Sequence, residues 1–439
     1  MSAHPTILVI IGITGDLSKR KLLPAIEQLA DAGVLPERLR IVGITRQDMT
    51  KDTILATQPQ TLYLEQYLEM YRMDLAEAVE YDKLKAYLEK IEADLGAPAQ
   101  KVFYLSIPPQ FSRSIVERLG TVGFARDSTT KLLLEKPFGT DLMSARELVA
   151  ETKQAFSEAQ IYRIDHYLAK EMAQNLIVFR GSNALFRRTW NRDFIERIEI
   201  VASEKIGIEG RVEFYEQTGA LRDLVQSHLL QLAALVLMNV PRADALDTVP
   251  VLRYDALKQL RLSADTPAIR GQYDTYQQEA GNIGSTTETY VDLTLESLDE
   301  RWLGVPIRIV TGKALREKAT YIRIIYKKNE AHEANELVIS LQPGAAIKLR
   351  MWTKVPGYER KLEQHDLKIS LEDQFPIMPE AYEQVLLDAI NTNHALFASS
   401  DEVLETWRII QPLLDAWQMD MAPLTQYEKG TVAGQIKAK

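Results

Sequence analysis

Residues 7–11 form an unbroken run of Ile, Leu and Val that stops at Gly12, the pattern of a strand covered on both faces in a parallel sheet. The next stretch, DLSKRKLLPAIEQLADAGVL, repeats apolar residues at helical spacing. Pro24 removes one helix hydrogen bond there and predicts a distortion. LRIVGIT then predicts a strand, YDKLKAYLEKIEADL an amphipathic helix, and KVFYLSIPP and TKLLLEKPFG two further strands. Alternation of this kind predicts α/β architecture, a Rossmann-like doubly wound parallel sheet. After Leu168 the texture changes: a long helix, KEMAQNLIVFRGSNALF, is followed by IERIEIVASE, STTETYVDLTLESL, PIRIVTGKAL, TYIRIIYKK and ELVISLQP in close succession. These predict an α+β domain with a large, mainly antiparallel sheet, backed by helices that include residues 218–238 and 379–398. The division falls near residue 167, giving domains 1–167 and 168–439.

Composition narrows the function. With 439 residues the chain exceeds the size of about 250–300 at which one core stops growing, in keeping with two domains. A net charge of −9 argues against broad polyanion binding, and so against nucleic acid, while leaving room for a local basic pocket. There is no cysteine, which excludes disulfides, thiolate ligands and a catalytic thiol. MSAHPTILVIIG has no basic leader region, and the apolar run 229–238 contains Gln231 and is shorter than the ~20 residues of a membrane span. A cytoplasmic chain without a membrane partner is expected.

Candidate chemistry clusters at the predicted strand ends. GITGDLSKRK joins the first strand to the first helix, where free backbone N–H groups and the helix dipole attract phosphate, and Gly12 and Gly15 allow close approach. Gly12, Thr14, Gly15, Asp16 and Leu17 are thus candidates for holding a dinucleotide; a purely structural turn is the plain alternative. After the second strand, GITRQD offers Arg46 and Gln47 where NAD-binding folds carry an acidic residue. A guanidinium suits the 2′-phosphate of NADP; neutral Gln47 need not repel NAD, and Asp48 could assist it, so use of both coenzymes stays open. In EKPFG, Lys136 projects from the carboxyl edge of the sheet. RIDHYLAKE places His166 and Lys170 four residues apart; on a helix they would share a face and, with Tyr167, could grip a phosphate. His228 sits in an otherwise apolar helix face. Asp223, five residues earlier, lies off that face in an α-helix, so Asp165 is the better candidate for orienting a basic His228. His4, His332, His365 and His394 lack metal-ligand spacing, and no metal is expected.

Taken in order, GITGDLSKRK, EKPFG, RIDHYLAKE, ALRDLVQSHLLQ, DERWLGVPIRIVTGKALREK and PEAYEQVLLDAI resemble the glucose-6-phosphate dehydrogenase family, from about residue 7 to residue 412. The resemblance implies oxidation of C1 of β-glucose 6-phosphate to the lactone, the first oxidative step of the pentose phosphate pathway. NADP, or NAD, is reduced by an N-terminal coenzyme domain joined to a substrate-binding and dimerisation domain. It further implies His228 as general base oriented by Asp165, phosphate held by His166, Tyr167 and Lys170, and sugar contacts at Lys136, Glu204, Asp223, Lys313 and Gln342. Lys21 and Lys136 would lie between sugar and nicotinamide, and Lys318 stands where the family often has Arg on the substrate side. Ser227 and Ala169 replace the Asn and Gly common in relatives. A homodimer or dimer of dimers is implied. The alternatives are a dehydrogenase of another sugar phosphate and a catalytically silent, NADP-binding regulatory protein.

Overall fold

The computed structural model describes residues 4–241, 245–328, 332–375, 377–419 and 421–437. The chain forms two compact units: Met1–Gly139, Met143–Ala169 and Pro379–Val403 make the first, and Thr140–Leu142, Lys170–Met378 and Leu404–Lys439 the second.

In the first unit, strands β1 (Thr6–Ile11), β2 (Leu39–Thr45), β3 (Leu68–Arg72), β4 (Gln100–Leu105), β5 (Lys131–Leu134) and β6 (Ile161–Ile164) lie parallel in the order 3-2-1-4-5-6. This is the order of the doubly wound dinucleotide-binding sheet, which opens a crevice beyond the carboxyl ends where the order turns. Period-two alternation fills both faces. Leu8, Ile10 and Ile41 pack under helices Leu23–Asp31 and Ala381–Ile390, whereas Ile7, Val9, Ile11, Val42 and Phe103 pack under Ala78–Leu95 and Pro109–Thr121. The distortion expected around Pro24 is a π-helical turn, Ser18–Leu22, that runs directly into the α-helix Leu23–Asp31, whose second residue is Pro24.

Two sequence expectations need correction here. The segment 379–398 is helical only over Ala381–Ile390, and it covers the parallel sheet rather than the antiparallel one. Its last carbonyls are taken by buried donors at the start of the parallel strands. Lys131 Nζ reaches the Ala389 and Ile390 oxygens at 2.6 and 3.1 Å, and Gln100 Nε2 the Ile390 oxygen at 2.9 Å. The chain then turns into β16 (Phe397–Ala398), antiparallel to β6. Second, residues 166–169 are a turn and not the start of a helix. The Asp165 carboxylate accepts the Tyr167 N–H at 2.8 Å, and Lys170 is extended (φ −67°, ψ 137°) as the N-cap of helix Glu171–Ser182. His166 and Lys170 are therefore not stacked on one helix face.

The second unit carries a large sheet. Its strands are β7 (Ile195–Ser203), β8 (Leu260–Leu262), β9 (Ile269–Tyr273), β10 (Tyr290–Ser297), β11 (Ile307–Gly312), β12 (Ala319–Tyr326), β13 (Glu336–Gln342), β14 (Ala346–Lys354), β15 (Leu362–Ser370) and β17 (Leu424–Tyr427). They run in the order 15-14-13-12-7-11-10-9-17, with β8 also on β10. Pairing is mostly antiparallel; β7 with β11 and β9 with β17 are parallel. The helix expected over 218–238 is three pieces: Val212–Ala220, a π-helical run Leu221–Leu229, and Leu230–Leu237, every residue of which is buried. Among the described residues, no helix is long and apolar enough to cross a membrane.

Candidate functional site

At the end of β1 the chain turns with Gly12 at φ +91°, where a Cβ would fall 2.3 Å from the Ser106 carbonyl oxygen at the end of β4. Only glycine fits both the angle and the space. The Gly15 N–H closes the turn on the Gly12 carbonyl at 3.0 Å. Ser18, fully buried, donates its hydroxyl to that carbonyl at 3.0 Å and lies within hydrogen-bond distance of Ser106 Oγ at 2.8 Å. Thr14, Gly15 and Leu17 are half-buried along this turn and Asp16 is exposed beside Arg20 at 3.6 Å. The cradle fits the pyrophosphate of a dinucleotide, whose close approach a side chain at position 12 would block. Arg46 and Gln47 are exposed just past β2, where the Gln47 N–H is fixed by Thr45 Oγ1 at 3.1 Å.

The carboxyl ends of β4, β5 and β6 gather the other first-unit candidates. Lys136 follows Glu135, whose carboxylate accepts the Tyr104 hydroxyl. Burial pushes the Glu135 carboxyl up, against the Tyr104 hydrogen bond and the Lys136 charge, while the nearby Asp165 charge adds to the rise. Tyr104 is itself pushed well above its usual range by burial and by Glu135. Asp165 is 4% exposed at the end of β6. His166 stacks on Tyr382 with ring centroids 5.6 Å apart, and Lys21 Nζ pairs with Glu380 Oε2 at 2.8 Å. Sequence reasoning did not single out Ser18, Tyr104, Glu135, Glu380 or Tyr382. Glu135 stood inside a recognised turn, and the others carried no signal in their spacing.

In the second unit, strand register collects four candidates. Ser203 of β7 pairs with Gly312 of β11 and with Ala319 of β12, and Thr320 of β12 pairs with Gln342 of β13. Glu204, Lys313, Lys318 and Gln342 therefore emerge at one end of the sheet. Lys313, only 2% exposed, forms an ion pair with Glu204 and lies 5.1 Å from the Tyr215 ring centroid. Burial raises the Tyr215 hydroxyl far above its usual range, and the charge of Asp223 adds to the shift, which places Asp223 in the same neighbourhood. Lys318 is exposed.

His228, 2% exposed, and Asp223 both sit in the π-helical run. In a π-helix residues five apart follow one another by a single turn, so the expectation that Asp223 lies off the His228 face holds only for an α-helix. The run is anchored at its start by Glu288. Its backbone oxygen takes the Ala220 N–H at 2.9 Å, and its Oε1 the Leu221 N–H at 3.0 Å. Gly219, at φ +60°, lets that carboxylate in: a Cβ there would sit 2.2 Å from Glu288 Oε1. The second unit thus offers a buried imidazole on one element, and on the sheet end a buried cation among carboxylates and a carboxamide, donors and acceptors suited to a polyhydroxylated ligand.

Comparison with known proteins identifies the family. The model of the glucose-6-phosphate dehydrogenase NAD-binding domain matches residues 9–175, and that of the C-terminal domain of the same family matches residues 177–438. Glucose-6-phosphate 1-dehydrogenase of Chlamydia muridarum is 32% identical over 98% of this chain and 94% of its own length. A glucose-6-phosphate dehydrogenase solved with its substrate glucose-6-phosphate superposes with a TM-score of 0.93 at 29% identity, covering 99% of this chain and 97% of that one. Glucose-6-phosphate 1-dehydrogenase from Mycobacterium avium gives 0.85 at 33% identity, covering 98% and 95%.

Proposed function

The chain belongs to the glucose-6-phosphate dehydrogenase family, and from that premise we propose that it oxidises C1 of β-glucose 6-phosphate to the lactone with NADP as hydride acceptor. The observation that carries the reading is the single sheet end at which Glu204, Lys313, Lys318 and Gln342 emerge, since these are residues the family resemblance assigns to the sugar phosphate. His228 takes the anomeric hydroxyl proton as hydride leaves C1, so that the C1–O bond becomes a carbonyl. Asp165 has the role of stabilising the imidazolium that results. Glu204, Asp223, Lys313, Gln342 and Lys136 hold sugar hydroxyls by hydrogen bonds; His166, Tyr167 and Lys170 take the phosphate, whose negative charge strengthens hydrogen bonds from such donors. When bound, NADP supplies the hydride acceptor. The Gly12 turn would hold its pyrophosphate, and Arg46 and Gln47 the phosphate on its adenosine ribose.

The same reading makes the protein a cytoplasmic homodimer or dimer of dimers that joins copies through the large sheet. The deciding experiment is initial-rate absorbance at 340 nm with NADP and with NAD, each against glucose 6-phosphate and a panel of other hexose 6-phosphates. Turnover highest with glucose 6-phosphate is expected. A higher rate with another sugar phosphate would make this a dehydrogenase of that sugar, and silence with every sugar would make it a regulatory relative.

A further inference from the structure

β2 and β3 run parallel with Thr45 opposite Arg72, so the last residues of the two strands are separated by one strand spacing, about 4.8 Å. Thr45 ties down both chains as they leave the sheet. Its carbonyl accepts the Met73 N–H at 3.0 Å and its hydroxyl accepts the Gln47 N–H at 3.1 Å. Arg72 and Arg46 therefore leave two adjacent, anchored strand ends one residue apart in register. They share the wall of an open cavity of about 470 Å³ with Met73, Asp74, Glu77 and Glu80.

Asp74 Oδ1 is occupied by the Ala76 N–H at 2.9 Å, and Glu80 Oε1 by Lys83 Nζ at 2.6 Å. With three carboxylates in the same wall, the Arg46 and Arg72 side chains nevertheless have neither an ion pair nor a hydrogen bond among the described residues. Two guanidiniums close together repel each other unless a shared anion joins them, and a planar guanidinium matches two oxygens of a phosphate at once.

We infer that Arg72 is a second arm for the 2′-phosphate of NADP, acting with Arg46, and that it sets the preference for NADP over NAD. The inference rests on the assignment of Arg46 to that phosphate. A dianionic phosphate between the two strand ends would hold both guanidiniums. The ribose hydroxyl of NAD at the same point satisfies neither, so discrimination follows from charge that one coenzyme neutralises and the other leaves open.

Titration calorimetry on the full chain tests this without turnover, with adenosine 2′,5′-bisphosphate and adenosine 5′-monophosphate as probes that differ only in the phosphate in question. Arg72→Ala is expected to weaken the bisphosphate by about tenfold or more and the monophosphate by less than about threefold, with Arg72→Lys in between. The ratio of kcat/KM for NADP to that for NAD should fall in parallel. If Arg72→Ala leaves the affinity ratio of the two probes unchanged while Arg46→Ala collapses it, Arg46 acts alone and the inference about Arg72 is wrong, though the coenzyme reading stands. If neither variant moves the ratio, the phosphate is not read at this wall, and the Arg46 assignment falls with it.

Discussion

Lys313 and His228 show what single residues are asked to do. An ammonium with 2% of its surface exposed is costly to desolvate, and a buried ion pair of the Lys313–Glu204 kind adds little stability over apolar side chains of similar volume. On the proposed reading its value lies in a charge held in place for the sugar phosphate. The same holds for a His in an apolar helix. His228→Asn keeps size and polarity but removes the proton acceptor, so kcat should fall by about 10²–10⁴-fold while binding of glucose 6-phosphate changes little. Steady-state rates beside equilibrium binding of the sugar phosphate give both numbers, and near-normal turnover would take the base role away from His228. Asp388 makes a contrasting case, with a predicted effect on stability alone. It is buried in the first unit, its Oδ1 accepts from Gln384 and Asn393 at 3.0 and 3.1 Å, and its Oδ2 has no partner among the described residues. Burial lifts the carboxyl to about 6. The folded chain thus holds this proton more tightly than the unfolded chain, where an Asp titrates near ~3.9. The favourable contribution is complete below ~4 and is lost as pH rises through about 6, leaving a buried charge as a penalty at neutral pH. Asp388→Asn should therefore stabilise the protein at pH 7.5, by about 1–3 kcal/mol, and the gain should shrink between pH 6 and 4. Urea midpoints across that range check it; a gain independent of pH would point away from the carboxyl charge.

At the scale of elements, the π-helical run Leu221–Leu229 is the piece whose shape decides where Asp223 and His228 point, and Glu288 with Gly219 decides where it starts. Gly219→Ala combines a left-handed φ with a clash against a buried carboxylate, so it should cost about 1–3 kcal/mol of stability and lower kcat more than it raises KM. Melting temperature and kinetics measured together decide, and a variant matching the parent in both would mean that the helix start accepts a Cβ. The π register itself was not legible in ALRDLVQSHLLQ, since a 3.6-residue and a wider turn bury nearly the same apolar residues. Strands β1, β2, β4 and β5 were legible because strands covered on both faces read as continuous apolar runs. β3 and β15 were missed for the complementary reason: LEMYR and LEQHDLKIS lie at sheet edges, half or mostly exposed, and carry no such run. Helix Ala381–Ile390 was readable as a helix but not as a cover for the parallel sheet, because amphipathicity reveals that a face is buried without saying against what. Spacing alone leaves it open whether HYLAK is helical; the Asp165 carboxylate competes for the Tyr167 N–H and makes a turn. Glu204, Lys313, Lys318 and Gln342 were each named from sequence, yet that they leave the sheet at one end follows from register, which depends on pairing between distant segments. The Tyr104–Glu135 relation is of the same non-local kind.

For the molecule as a whole, the outer end of the large sheet bears on the expected homodimer. One apolar row runs across successive strands: Ile339 of β13 pairs with Ile347 of β14, and Ile347 with Ile369 of β15; Leu337, Leu349 and Leu367 form the parallel row beside it. Leu337 and Ile339 are fully buried, whereas Ile369 is 50% and Leu367 61% exposed. The row thus leaves the core and continues onto a nine-residue edge strand whose outer side has no neighbouring strand among the described residues. Long apolar edges invite pairing, and proteins that stay single blunt them with charge. Here the charges of β15 sit between the apolar positions and leave that row intact. The expected cover is a second copy. Sedimentation velocity should give a dimer or tetramer for the parent chain. Leu367→Lys combined with Ile369→Lys, which sets two like charges on the row without touching the inner strands, should halve the assembly mass while the circular dichroism of the fold is kept. A parent chain that sediments as a monomer would end the dimer reading, and a double variant with unchanged mass would move the contact to another face of the sheet.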